Sequence, residues 1–171
     1  MNQTEQNIIL IGMMGTGKTT IGQILAKELG FTLVDLDAAI VAEQGMTIPE
    51  MFELRGEAYF RQAETAVLRK VLASGGGQVV ATGGGAVLEP LNCEIMLSGG
   101  IVFALTADAE TIIDRVRGDS NRPLLAGNAE ERIRIIMDER KDAYRFAHYT
   151  VDTSRMGPEK IASQILMHYR V

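Results

Sequence analysis

The sequence predicts an α/β fold, a three-layer open parallel sheet of five strands with helices on both faces. Three observations predict it. Short apolar runs alternate with stretches of helical period along all 171 residues. The first run, Ile8-Ile9-Leu10-Ile11, feeds a glycine loop and then a helix pattern at Ile21, Ile24, Leu25 and Leu29. The loop itself, Gly12-Met13-Met14-Gly15-Thr16-Gly17-Lys18-Thr19-Thr20, fits GxxxxGK followed by Ser or Thr at every fixed position.

Strand, glycine loop and helix in that order make a phosphate cradle. Glycines let the backbone turn its N–H groups inward, and the following helix adds its positive end. The candidate nucleotide residues are Gly12, Gly15, Thr16, Gly17, Lys18, Thr19 and Thr20. Lys18 reaches the β- and γ-phosphates in such a loop, and the Thr19 hydroxyl holds Mg²⁺.

The totals narrow the class. A chain of this length is one domain's worth, 1–171, and its apolar fraction of 46% is that of a globular fold. A formal charge of −5 argues against a nucleic-acid or anionic-membrane surface, although not against a small anionic ligand. Cys93 is the only cysteine, so no intrachain disulfide forms. Met1 to Asn7 is polar and unlike a secretory leader, and no apolar run reaches the roughly 18 residues of a membrane span. The expected location is cytoplasmic.

The second strand reads as Leu33, Val34 and Leu36, ending in Asp35 and Asp37. The two carboxylates share a face if both lie on the strand, and otherwise cap the next helix. Ile40 and Val41 fit a short helix stopping near Gly45. Thr47 and Pro49 open a longer apolar-faced segment to Leu72, with a break at Gly56. Spacing leaves Arg61 open between an anion ligand and a surface or salt-bridge arginine. Val79-Val80-Ala81-Thr82 is the third strand, followed at once by Gly83-Gly84-Gly85. Glycines there suit a tight turn or close substrate contact, and a strand's carboxyl end favours the latter.

A short helix over Glu89 to Leu97 precedes the buried strand Ile101 to Leu105, with Thr106 or Asp108 capping the helix at Ile112, Ile113 and Val116. Arg115, Arg117 and Arg122 then surround a polar insertion, which suggests a mobile lid at about 115–127. Glu130 to Tyr144 reads as helix, Tyr149 to Asp152 as the last strand, and Ile161 to Tyr169 as the terminal helix. His148 and His168 read as ordinary polar residues. Periodicity does not yield the strand order.

Five motifs together resemble the shikimate kinase family: GMMGTGKT at 12–19, DLD at 35–37, FELRGEAYFRQAE at 52–64, ATGGGAV at 81–87 and RPLL at 122–125. The resemblance implies a P-loop fold of the nucleoside-monophosphate-kinase type, strand order 2-3-1-4-5, and ATP-Mg²⁺ phosphorylation of the 3-hydroxyl of shikimate. It also implies that Asp37, Arg61, Gly83, Gly84, Gly85 and Arg140 bind substrate, with a substrate-binding helical segment at about 37–72. Lys18, Asp37 and Arg122 are the expected catalytic residues. Arg117, Arg122, Pro123 and Arg155 are expected near the nucleotide, and Asp35 near Mg²⁺ through water. One departure is visible: Ile40-Val41 stands where the family usually has isoleucine-glutamate. The expected partners are shikimate and ATP, with no nucleic acid, no membrane and a monomeric state. A kinase for another small polyol, a nucleotide kinase and a non-catalytic nucleotide switch are the competing classes.

Overall fold

The computed structural model describes residues 5–117 and 128–170. Strand β1 (Asn7–Gly12) leads through the glycine loop into α1 (Lys18–Leu29). Then come β2 (Thr32–Asp35), α2 (Leu36–Gln44), α3 (Ile48–Arg55), α4 (Glu57–Ala73) and β3 (Gln78–Ala81). The remainder is α5 (Pro90–Gly99), β4 (Gly100–Thr106), α6 (Ala109–Arg117), α7 (Ala129–Glu139), β5 (Tyr149–Asp152) and α8 (Pro158–Tyr169).

The five strands form one parallel sheet in the order β2-β3-β1-β4-β5, the order that the resemblance implied. Central β1 is buried at all six positions, so both of its faces are covered. Alternation then divides the core. Ile9, Ile11, Val80, Val102 and Ala104 pack toward Leu36, Ile40, Met51, Phe60 and Leu68 of α2, α3 and α4. Ile8, Leu10, Val79, Phe103 and Leu105 pack toward α1 and α8 through Ile21, Leu25, Ile161 and Ile165. A third cluster, Met13, Ile112, Ile113, Val116 and Ile133, seats α6 and α7 against the glycine loop.

Local signals set most element ends. The Thr47 hydroxyl accepts from Glu50 N at 3.2 Å with Pro49 in the first turn, and Gly56 separates α3 from α4 at φ 88°. Asp108, and not Thr106, caps α6, accepting from Thr111 N at 2.8 Å. Two boundaries differ from expectation. β2 stops at Asp35 because that carboxylate accepts from Ala38 N at 3.1 Å and starts α2, which places Leu36 and Asp37 in a helical turn. The two aspartates therefore do not share a strand face.

Helix α7 ends at Glu139, short of Tyr144. Residues after Arg140 continue as turns closed by Ala143 N to Arg140 O (2.9 Å) and Ala147 N to Tyr144 O (3.4 Å). That path returns Tyr144, Phe146 and Ala147 to the core beneath α2 and α4, which a straight helix could not do. Of the expected lid, 115–117 belong to α6, and the rest, with Arg122 and Pro123, lies outside the described residues. Among the described residues no helix is long and apolar enough to cross a membrane.

Leu10 is fully buried and pairs with both Ala81 and Phe103. Leu10→Ala should cost about 2–5 kcal/mol in urea unfolding, the range for a large-to-small change in a close-packed core. A loss under about 1 kcal/mol would contradict this placement of the core.

Candidate active site

The site begins where β1 runs out of room for side chains. A Cβ on Gly12 would stand 2.3 Å from the Leu105 carbonyl oxygen, and its φ of 144° is one that glycine tolerates. The loop beyond is tied to itself. The Thr16 hydroxyl, buried, donates to Met13 O at 2.8 Å, and Lys18 Nζ donates to Gly12 O at 2.6 Å and Met13 O at 2.9 Å. Gly17 precedes α1 with no side-chain cap. No side chain therefore covers the start of that helix, and its positive end is open to an anion.

Across the sheet edge, the run after β3 carries one charged side chain per glycine. A Cβ on Gly83 would lie 2.9 Å from Asp37 Oδ1, one on Gly84 3.2 Å from Arg140 Nη1, and one on Gly85 2.6 Å from Arg61 Nη2. Helices α2 and α4 and the C-terminal cap of α7 therefore deliver an aspartate and two arginines to one strip of bare backbone. Burial, and next the charge of Asp35, push the Asp37 carboxyl above the usual range, while Lys18 and Arg61 oppose the rise. Arg61 is in turn held by Glu64, whose Oε1 accepts from Nη1 at 2.9 Å, and by Glu57 at 3.7 Å. Glu64 is 1% exposed, and burial raises its carboxyl despite that arginine.

A cleft of about 500 Å³ joins the two halves. It is lined by Met14, Gly15, Gly17, Lys18, Thr19 and Thr20 on one side and by Asp35, Asp37, Gly83 and Gly84 on the other. Thr19 and Asp35 offer hard oxygen donors to this one space, and Thr82 stands where a strand-end acid is absent. Among the described residues no group of three or more His, Cys, Asp or Glu is placed to hold a metal. A sparse oxygen set suits Mg²⁺, which keeps several waters and takes phosphate oxygens as ligands.

The two arginines of α6 diverge. Arg117 points away, pairs with Glu130 at 3.4 Å and lines a separate hollow along α7. Arg115 lines the cleft instead, donating to Gly15 O at 2.9 Å, to the Thr153 hydroxyl at 3.1 Å and to Thr153 O at 2.9 Å. Arg155 is exposed, and its charge helps to lower Asp108 and Asp152. Sequence reasoning placed Arg115 only in the expected lid, and it gave no site role to Glu64 or to Tyr144, which donates to Gly84 O at 2.8 Å. Signals existed for two of them. Residues two apart on a helix face opposite sides, which separates Arg115 from Arg117, and Arg61 and Glu64 have the spacing of an ion pair.

Comparison with known proteins places this arrangement. A family model described as shikimate kinase matches residues 14–170. The shikimate kinase of Geobacter sulfurreducens is 43% identical over 166 residues, covering 96% of this chain and 91% of that one. That of Thiobacillus denitrificans is 46% identical over 153 residues, covering 88% and 83%. A solved structure of shikimate kinase from Acinetobacter baumannii in complex with shikimate superposes with a TM-score of 0.88 at 41% identity, over 97% of this chain and 93% of that one. The chain belongs to the shikimate kinase family.

Proposed function

We propose that this chain transfers the γ-phosphoryl group of ATP to the 3-hydroxyl of shikimate, yielding shikimate 3-phosphate, ADP and a proton, within aromatic amino-acid biosynthesis. The observation that carries the reading is the glycine strip, where Asp37, Arg140 and Arg61 each abut one of Gly83, Gly84 and Gly85 beside the phosphate loop. An acceptor held there needs a carboxylate for the two guanidinium forks and a hydroxyl for the aspartate. Shikimate has both, on a ring flat enough to lie against backbone.

In this reading Arg61 and Arg140 clamp the carboxylate, and Asp37 accepts a hydrogen bond from the attacking hydroxyl. The bond from the γ-phosphorus to its bridging oxygen breaks as the one to the 3-hydroxyl oxygen forms. Positioning and charge stabilisation dominate such a transfer. Lys18 and the first-turn N–H groups of α1 receive the charge that develops. Asp37, its carboxyl already raised by burial, is suited to take the hydroxyl proton. Thr19, and Asp35 through water, would hold Mg²⁺, which would supply neutralisation of the phosphate charge. Arg122 is assigned to the charge of the transferring group and Pro123 and Arg155 to the nucleotide side, whereas Arg117, paired with Glu130, stands outside the cleft. Arg115 joins the nucleotide side from its position in the cleft. The whole chain, 1–171, acts as one monomeric cytoplasmic domain whose partners are small anions, not nucleic acid or membrane.

ADP release from ATP-Mg²⁺ should rise strongly with shikimate and not with gluconate, AMP or no acceptor. Stimulation by gluconate or AMP instead of shikimate would overturn the acceptor assignment. Arg61→Ala should raise KM for shikimate about a hundredfold, because a charge-assisted fork is lost. The same change leaves Glu64 buried without its cation. At neutral pH it should destabilise the fold by about 2–3 kcal/mol, less than a fully buried pair because Arg61 is 25% exposed. Glu64 is an acid with a raised folded pKa, so its ionised form is the costly one; the deficit should shrink as pH falls and Glu64 takes up a proton. An unchanged KM, or a deficit that grows on acidification, would contradict these roles.

A further inference from the structure

We propose that Tyr144 is a positioning residue that braces Arg140 for the acceptor's carboxylate, an inference that rests on the shikimate reading above. Tyr144 follows Arg140 by four residues in the turns after α7. Its ring is packed where the cluster beneath α2 and α4 meets the cluster beneath α6 and α7. Its hydroxyl donates to Gly84 O at 2.8 Å. The other side of that glycine is taken by Arg140, whose Nη1 lies 3.2 Å from where a Cβ would stand. Gly84 is therefore gripped twice, by the guanidinium at its Cα and by the phenol at its carbonyl.

The direction of the bond matters. A carbonyl only accepts, so the phenolic proton is committed to Gly84 and the oxygen lone pairs face outward. Arg140 abuts the same glycine, and its charge and N–H groups oppose the upward push that burial gives the phenol. The phenol thus stays protonated at neutral pH and keeps its bond to Gly84.

The second arginine of the clamp is held differently. Arg61 is fixed by two carboxylates, Glu57 and Glu64, which cancel much of its charge. No carboxylate among the described residues forms an ion pair with Arg140. A neutral phenol orients a guanidinium without neutralising it, so Arg140, which Glu64 feels without pairing to it, keeps more of its attraction for an incoming anion than Arg61 does. Tyr144 also ties that guanidinium to the strip of backbone on which the substrate ring would rest.

The test compares shikimate with its uncharged methyl ester in wild type and Tyr144→Phe, with melting temperature followed in parallel. The acid-over-ester ratio of kcat/KM should fall about tenfold in the variant, through KM for shikimate, as expected for losing one hydrogen bond that serves a charged group. The ester's kcat/KM and the KM for ATP should stay within about twofold, since neither uses the brace. In an Arg140→Lys background, Tyr144→Phe should change the ratio by less than about twofold, because the shared route is already broken. Equal losses on acid and ester would mark a general structural defect and overturn the brace, as would additivity with Arg140→Lys. Should Tyr144→Phe not fold, Tyr144→His, which keeps an N–H donor, must retain a wild-type ratio or the inference falls. A wild type that does not prefer acid to ester overturns the functional reading and the inference with it; a wild type that does, with a variant that keeps the preference, overturns the inference alone.

Discussion

The structure depends on close backbone approach at the carboxyl edge of the sheet. Where β1 meets β4, Gly12 sits against the Leu105 carbonyl with no space for a single carbon more. That contact lets the chain leave the strand sharply enough for Lys18 to fold back onto Gly12 and Met13, and for α1 to begin with its N-terminus facing the cleft. The same device recurs one strand over. Gly83, Gly84 and Gly85 let Asp37, Arg140 and Arg61 come so close that a side chain there would push them aside. The site is thus a surface of backbone on which charges from three helices converge, and the parallel sheet brings its two halves together.

Those charges explain how an acidic protein holds anions. The chain carries a net −5, yet Lys18, Arg61 and Arg140 all stand at the strand ends. Asp37 and Glu64 answer them from inside. Glu64, almost without exposure, serves mainly to fix Arg61, and burial raises its carboxyl because even a short bond to an arginine does not restore the hydration it has lost. Asp37 is raised by burial and by Asp35, which inclines it to hold a proton during chemistry more readily than an exposed aspartate would. Local field, not total charge, decides what such a cleft accepts.

Much of this was legible because it is local. The phosphate loop, the strand cores around Ile8 to Ile11 and Ile101 to Leu105, the Thr47 cap and the break at Gly56 are each written within a few residues. The residues that escaped depend on packing between distant segments. Asp35 ends its strand by capping α2, and only the competition between strand and helix settles that. Helix α7 yields at Arg140 because Tyr144, Phe146 and Ala147 must reach a core formed by other elements. Arg115 is distinguished from Arg117 by which side of α6 meets the glycine loop, and Tyr144 by a bond to a glycine 60 residues away. Strand order is non-local throughout. The motifs could imply it only by resemblance to a family.

The central claim is that two arginines and an aspartate, seated on bare backbone, recognise a carboxylate and a hydroxyl on one ring. A crystal structure of this chain with shikimate tests it most directly. The account predicts shikimate carboxylate oxygens within about 3.2 Å of guanidinium nitrogens of both Arg61 and Arg140, a ring hydroxyl on Asp37, and the ring lying along Gly83 to Gly85. A ring turned the other way, with its carboxylate on the phosphate-loop side and hydroxyls on the arginines, would contradict it.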